Sequence, residues 1–343
     1  MTSKMLSEIN EQPEVLRRVL TEGWAPTASI ARSLREKGFR AVMLAARGTS
    51  DNAAYYAKYL FEVLLGVPAA LASPSTFTLY ESRMNLEGVL VVGVSQSGES
   101  KDILQTIHEA RRRGASTLSL TNSEGSAMAA AAEHHLPLFA GTEVSVAATK
   151  TYTAELLLLY LLVAALRGEE DPPAEAGRIP QQAEQVLAVR WENVARYRYA
   201  GHLVAVSRGY NLATAKEAAL KLMETSYVVA QPFSEADLRH GPMAVVTRDF
   251  PVVAVVPPGR ARSSMLELVD NLDERGAEQI MISEDDESLR KAASGFRIPV
   301  SCPEPLSPIL YILPAQLLAQ ELSVLKGLDP DAPRGLSKVT ESW

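Results

Sequence analysis

Leu44-Ala-Ala-Arg-Gly-Thr49 and Val204-Ala-Val-Ser-Arg-Gly-Tyr210 read alike. Each is an apolar, strand-like run that closes on Arg-Gly and opens into an Ala-rich helical stretch. The two Arg-Gly pairs lie 161 residues apart. Moving Val91-Val-Gly-Val-Ser-Gln-Ser-Gly98 by the same distance lands on Val252-Val-Ala-Val-Val-Pro-Pro-Gly259, again a buried-strand pattern followed by a turn and a helix. One residue of slip later, Arg113-Gly-Ala pairs with Arg275-Gly-Ala, each ahead of another apolar run. Matches in order at a nearly constant spacing mark an internal duplication. The chain reads as two copies of one α/β unit.

Within each copy, short β-branched runs alternate with helical segments: residues 41–45, 89–94 and 117–120, then 203–206, 251–256 and 279–283. That alternation predicts parallel strands joined by right-handed helical crossovers, a doubly wound three-layer α/β/α sandwich in each copy. Charge, Pro and Gly concentrate in Arg167-Gly-Glu-Glu-Asp-Pro-Pro-Ala-Glu-Ala-Gly177, where a boundary belongs. The expected organisation is a helical arm over residues 1–36, a first copy over 37–166, a linker and helix over 167–194, a second copy over 195–326 and a tail over 327–343.

Composition narrows the function classes. The 343 residues are 47% hydrophobic and 22% charged, enough for two ordinary cores and unlike a disordered chain. With 34 basic against 41 acidic residues the net charge is −7, so nothing advertises a nucleic-acid or anionic-membrane surface. A single cysteine, Cys302, rules out an intrachain disulfide and a multi-thiolate zinc site. The first twenty residues interleave charge with apolar positions, as in a surface helix rather than a signal peptide. The longest apolar run, residues 156–166, is far short of the roughly 20 residues that span a bilayer. A cytoplasmic protein is expected.

In an open parallel sheet, anions sit beyond the carboxyl ends of strands, against helix N-termini. Ser95-Gln-Ser-Gly-Glu-Ser100 occupies such a place, offering hydroxyls, an amide and a glycine. Arg47-Gly48-Thr49-Ser50 ends a neighbouring strand, so the two loops are candidates to close on one phosphate. Plain helix capping is the alternative reading. The duplicate loop, Val256-Pro-Pro-Gly259, manages without serines, which favours an anion site in the first copy. The spacing Gly93 to Gly98 lacks the Lys of a P-loop, and Gly93-Val-Ser-Gln-Ser97 misses the last glycine of a serine-hydrolase elbow.

Glu217, Lys221 and Glu224 are spaced i, i+4 and i+7, on one face of a helix. An exposed salt-bridge ladder has the same spacing, but this helix follows the duplicate of the anion loop, so its start should lie at the carboxyl edge of the sheet. His240 falls in a tight turn, Asp237-Leu-Arg-His-Gly-Pro242. His134 and His135 are placed beside a short strand, His108 mid-helix and His202 at a strand start; with no carboxylate at ligand-like spacing, no metal site is expected. Lys338, in Ala332-Pro-Arg-Gly-Leu-Ser-Lys338, is a candidate to enter a cleft from a docked tail.

Together Arg47-Gly-Thr-Ser50, Ser95-Gln-Ser-Gly-Glu-Ser100, Glu143-Val-Ser-Val-Ala-Ala-Thr-Lys150, Glu217-Ala-Ala-Leu-Lys-Leu-Met-Glu224, Leu238-Arg-His-Gly-Pro242 and Pro333-Arg-Gly-Leu-Ser-Lys338 resemble the tandem sugar isomerase (SIS) domains of glucosamine-6-phosphate synthase. The resemblance covers nearly the whole chain and implies two flavodoxin-like SIS domains. The shorter relatives that look most similar are SIS-type glucosamine-6-phosphate deaminases, with fructosamine-phosphate deglycases and galactosamine-phosphate deaminase/isomerases close by. It implies that Gly48, Thr49, Ser50, Ser95, Gln96, Ser97 and Ser100 hold the sugar phosphate, and that Val146, Ala148 and Ser337 line the sugar. It implies that Glu224 moves a proton between C1 and C2, that His240 opens the ring, and that Lys338 meets the open-chain carbonyl, with Lys221 and Glu217 in support. His240 would come from a neighbouring subunit, so a homodimer is expected, with no cofactor, no nucleic acid and no membrane partner. Ala148 stands where the synthases have a serine, and the tail is one residue shorter after Lys338.

The resemblance does not extend to the synthase's glutaminase domain. The expected reaction is therefore hydrolytic: glucosamine 6-phosphate and water to fructose 6-phosphate and ammonia. A deglycase, a galactosamine-6-phosphate deaminase and a non-catalytic sugar-phosphate sensor are the alternatives.

Overall fold

The computed structural model describes residues Ser3 to Lys338; the rest of the expected arm and tail, residues 1–2 and 339–343, lie outside them. The chain forms two compact units. One gathers residues 14–143 and 150–177 with the tail from Ser337, and the other gathers the residues up to Pro13, residues 144–149 and residues 178–336.

In the first copy the long helix α1 (Lys4–Lys37) leads into β1 (Ala41–Ala45), α2 (Gly48–Leu60), β2 (Ala69–Leu71), α3 (Ser75–Thr78), β3 (Val89–Ser95), α4 (Lys101–Arg112), β4 (Ser116–Thr121), α5 (Ala127–Ala131), β5 (His134–Pro137) and α6 (Lys150–Leu166). All five strands run parallel in the order β2-β1-β3-β4-β5. Every residue of α6 is buried, as an all-round apolar helix requires. On the other face α4 packs close against β3: a Cβ at Gly93 would meet the Ile107 side chain at 3.0 Å.

In the second copy α7 (Ile179–Ala188) precedes β6 (His202–Ser207), α8 (Leu212–Ser226), β7 (Val229–Ser234), α9 (Glu235–Arg239), β8 (Pro251–Val256), α10 (Arg262–Glu274), β9 (Glu278–Ser283), α11 (Asp286–Arg290), β10 (Ser294–Arg297) and α12 (Ser307–Leu325). Its sheet, β7-β6-β8-β9-β10, repeats the first order strand for strand, as the duplication predicts. The segment 304–325 is long and apolar enough to cross a membrane, but 83% of its most apolar window is buried in the fold, where α12 packs on α8 and α7. It is a core helix.

Three expectations are corrected. The edge strands β2, β5, β7 and β10 were not among the predicted runs, and His134 and His135 lie within β5, not beside it. The N-terminal segment is helical as expected, but Met5, Ile9, Leu16 and Val19 are fully buried, so it is a core element rather than a surface arm. Ser95 closes β3 and does not begin the loop after it.

Candidate active site

β1 and β3 are adjacent, and their connections leave in opposite directions along the sheet, so the crevice beyond their carboxyl ends is the topological switch point at which such sheets bind ligands. Both candidate loops stand there, and the N-termini of α2 and α4 begin from them. Plain capping is not what these side chains do. Ser100 precedes α4 and Arg47 precedes α2, yet neither side chain makes a capping hydrogen bond. Arg47 Nε instead donates to Asp102 at 2.7 Å, tying the two loops together. Ser95 Oγ accepts from the Gly98 N–H at 3.1 Å, and Ser97 Oγ from that of Glu99 at 3.3 Å. Gln96, Ser97, Ser100 and Thr49 are half-buried and Gly48 is exposed. Ser50 differs: it is buried, and its hydroxyl donates to Glu155 of α6 at 2.8 Å. Its contribution is to anchor the first turn of α2.

Gly98 is the residue on which the loop turns. Its φ is +69°, and an added Cβ would stand 2.3 Å from Ser126 Oγ and 2.5 Å from Ser126 Cβ. Ser126 cannot step aside cheaply, because its hydroxyl caps α5 through the Ala129 N–H. Gly98→Ala is expected to cost about 2–4 kcal/mol, from left-handed strain and overpacking together, and to weaken binding of any anion that this loop holds. Urea unfolding and ligand titration check this; a variant within about 0.5 kcal/mol of the parent, with unchanged affinity, contradicts it.

In the second copy the corresponding crevice holds a carboxylate of the chain itself. Glu304 accepts from the N–H groups of Arg260 at 2.8 Å and Ala261 at 3.3 Å. The amides at the duplicate of the serine-bearing loop are thus already satisfied by a side chain of the protein.

The start of α8 does lie at the carboxyl edge of its sheet. Glu224, however, is twelve residues beyond Leu212, about 18 Å along the helix, so it stands in the last turn of α8 and away from the duplicated loop. Nor is it an exposed ladder. Glu217 and Lys221 are wholly buried, and Lys221 Nζ lies 3.3 Å from Glu217 and 2.6 Å from Glu224. Burial pulls the Lys221 pKa down, but the two carboxylate charges and their hydrogen bonds more than offset it, so the ammonium is held above its ordinary range. Of the three, Glu224 alone reaches solvent, its side chain 23% exposed.

His240 ends α9 in a turn with Gly241 at φ +129° and is exposed. Among the other histidines, His135 bonds Thr121 at 2.9 Å, and burial lowers its pKa against the opposing charge of Glu124. Among the described residues no cluster of His, Cys, Asp and Glu is able to hold a metal.

The segment 144–149 alternates: Ser145, Ala147 and Thr149 point inward, while Val144, Val146 and Ala148 are left outward. Of the tail, the Arg334 N–H donates to the Tyr227 hydroxyl at 2.8 Å, directly beyond α8. Ser337 is exposed, and Lys338 Nζ donates to the buried Glu143 at 2.8 Å. Glu143 also accepts from Thr151 N and Oγ1 in the first turn of α6.

Sequence reasoning missed Glu8, Gln12, Asp102, Glu143, Glu155 and Gln316, all buried polar residues that hold these elements. For Glu8 and Gln12 a signal existed. Both fall on the stripe of α1 formed by Met5, Ile9, Leu16 and Val19, where polar side chains need buried partners.

The SIS domain family model matches the chain twice, over residues 34–165 and 197–326. The chain belongs to the SIS-domain family. The glutamine–fructose-6-phosphate aminotransferase (isomerizing) of Methanothermobacter thermautotrophicus is 38% identical over 339 residues, covering 97% of this chain and 56% of the relative. That of Aquifex aeolicus is 35% identical over 340 residues, covering 97% and 57%. The chain thus spans a little over half the length of these curated relatives. Among solved structures, the C-terminal domain of glucosamine-fructose-6-phosphate aminotransferase from Francisella tularensis superposes with a TM-score of 0.83 at 25% identity, covering 97% of this chain and 99% of that one. Glucosamine-6-phosphate deaminase from Thermotoga maritima shares the fold, with a TM-score of 0.80 at 22% identity over 99% and 100% of the two chains. This SIS protein is therefore similar to proteins named for sugar-phosphate chemistry.

Proposed function

We propose that the protein is an amino-sugar-phosphate deaminase/isomerase that converts glucosamine 6-phosphate and water to fructose 6-phosphate and ammonia, acting as a cytoplasmic homodimer. The observation that carries this reading is the α8 face: Glu224 reaches solvent with its Oε2 2.6 Å from a fully buried ammonium. A carboxylate so held can take a proton from carbon while the adjacent positive charge stabilises the anion that develops.

The steps balance without metal or organic cofactor. The loops after β1 and β3 hold the phosphate. His240, exposed on its own chain, serves the partner's site and transfers the proton that opens the ring. Glu224 removes the C2 proton to give an enolamine and returns it to C1, leaving the imine of fructose 6-phosphate. Water adds to that imine carbon, the C–N bond breaks, and ammonia leaves. Lys338 orients the open-chain carbonyl. The hydrolytic direction needs only water as co-reactant, whereas the reverse needs ammonia at high concentration.

Ammonia and fructose 6-phosphate release from glucosamine 6-phosphate tests the proposal, run beside galactosamine 6-phosphate and an amino-acid conjugate of fructosamine 6-phosphate. Stoichiometric release from glucosamine 6-phosphate is the expected result. Turnover of the conjugate alone would make the protein a deglycase, turnover of the galacto epimer alone would move the substrate, and tight binding with no turnover would leave a sensor.

A further inference from the structure

The segment that carries Val146 and Ala148 is gripped by residues far from it in sequence. Its unit also contains the start of α1 and the whole second copy. Glu8, 4% exposed, accepts from the N–H groups of Val144 and Ser145, the latter at 3.2 Å. One turn on, Gln12 Nε2 donates to Gln316 Oε1 at 2.8 Å, and Gln316 Nε2 donates to the Thr149 carbonyl at 3.3 Å. Glu8 therefore holds the beginning of the segment, and the Gln12–Gln316 pair its end. Three residues along the same face of α12, the Ala319 carbonyl accepts from Ser226 Oγ at 2.9 Å and Thr225 Oγ1 at 3.3 Å. Those two residues directly follow Glu224.

We propose that Glu8, Gln12 and Gln316 are positioning residues that fix the sugar-lining segment 144–149 in register with the acid–base helix α8. Apolar side chains would fill these stripe positions at lower desolvation cost, so stability alone does not call for a carboxylate and two amides. What the polar set supplies is direction. A carboxylate on two backbone N–H groups is a charge-assisted contact that sets the path of the segment, and an amide pair sets its end point. In consequence Val146 and Ala148 keep their places relative to Glu224. The catalytic arm of the test rests on the sugar-phosphate reading above; the structural arm does not.

The variants are Glu8→Gln and Gln316→Met, each isosteric, with Glu8→Asp as the conservative partner. Hydrogen exchange at the Val144 and Ser145 amides is expected to rise about tenfold or more in Glu8→Gln, and less in Glu8→Asp. In both isosteric variants kcat is expected to fall about tenfold, with affinity for inorganic phosphate unchanged, because the reacting carbons and not the phosphate lose their register. Unchanged exchange at Val144 and Ser145 overturns the proposal. So does a lowered melting temperature with kcat per folded molecule preserved, the mark of a purely structural role. Should one isostere fail to fold, the other and Glu8→Asp carry the same readings. A wild type that turns over no amino-sugar phosphate sinks the reaction reading, while the exchange data still decide the bracket.

Discussion

Glu224→Gln is expected to lower kcat for glucosamine 6-phosphate by about 10²–10⁴-fold while leaving KM within a few-fold of the wild type. Glutamine keeps the shape and still offers Lys221 an oxygen acceptor, and Glu217 at 3.3 Å continues to balance the buried ammonium, so the fold has no reason to change. What is lost is the capacity to receive a proton. In the proposed reaction ring opening is assigned to His240 and continues, so the defect is expected at the C2–H step. It shows as loss of solvent deuterium entry at C1 of the product, with phosphate affinity intact. Glu224→Asp, one methylene shorter, should retain part of the activity, since the chemistry survives and only the reach is reduced. A Glu224→Gln protein that keeps more than about a tenth of the wild-type rate would remove Glu224 as the base and send the search to other carboxylates.

The fold was legible where the physics was local. Central strands buried on both faces leave continuous β-branched runs such as Val89–Ser95 and Pro251–Val256, and the repeat of those runs announced the second sheet. The edge strands were not legible for the complementary reason. Val229–Ser234 carries Gln231 and Pro232, which an edge tolerates because one side has no ladder to complete, so nothing in its composition separates it from a loop. The site shows the same division. The spacing of Glu217, Lys221 and Glu224 fixed their common face, but a buried set and a surface ladder share that spacing. The choice is made by tertiary packing, which leaves Glu217 and Lys221 without solvent exposure and Glu224 partly open. The α1 stripe marks Glu8 and Gln12 as polar residues in need of partners, but the partners themselves, the amides of Val144 and Ser145 and the side chain of Gln316, are distant in sequence and identifiable only after folding.

Lys221→Met separates the stability of that buried set from its chemistry. Methionine matches the apolar stem of lysine but takes from Glu217, wholly buried, the ammonium that lies 3.3 Å away. Breaking a buried pair from one side costs about 3–5 kcal/mol, because the remaining charge keeps its desolvation penalty and loses its compensation. The expected result is a large drop in the urea midpoint of the unit that carries α8, together with loss of turnover. Adding Glu217→Gln to Lys221→Met should recover part of the lost stability, since the buried carboxylate that lost the Lys221 ammonium is then gone, and should recover none of the activity, since the ammonium beside Glu224 is still missing. A single variant less than about 1 kcal/mol below the wild type would mean that water reaches this set despite its burial. A double variant that regained turnover would mean that Lys221 serves the fold and not the reaction.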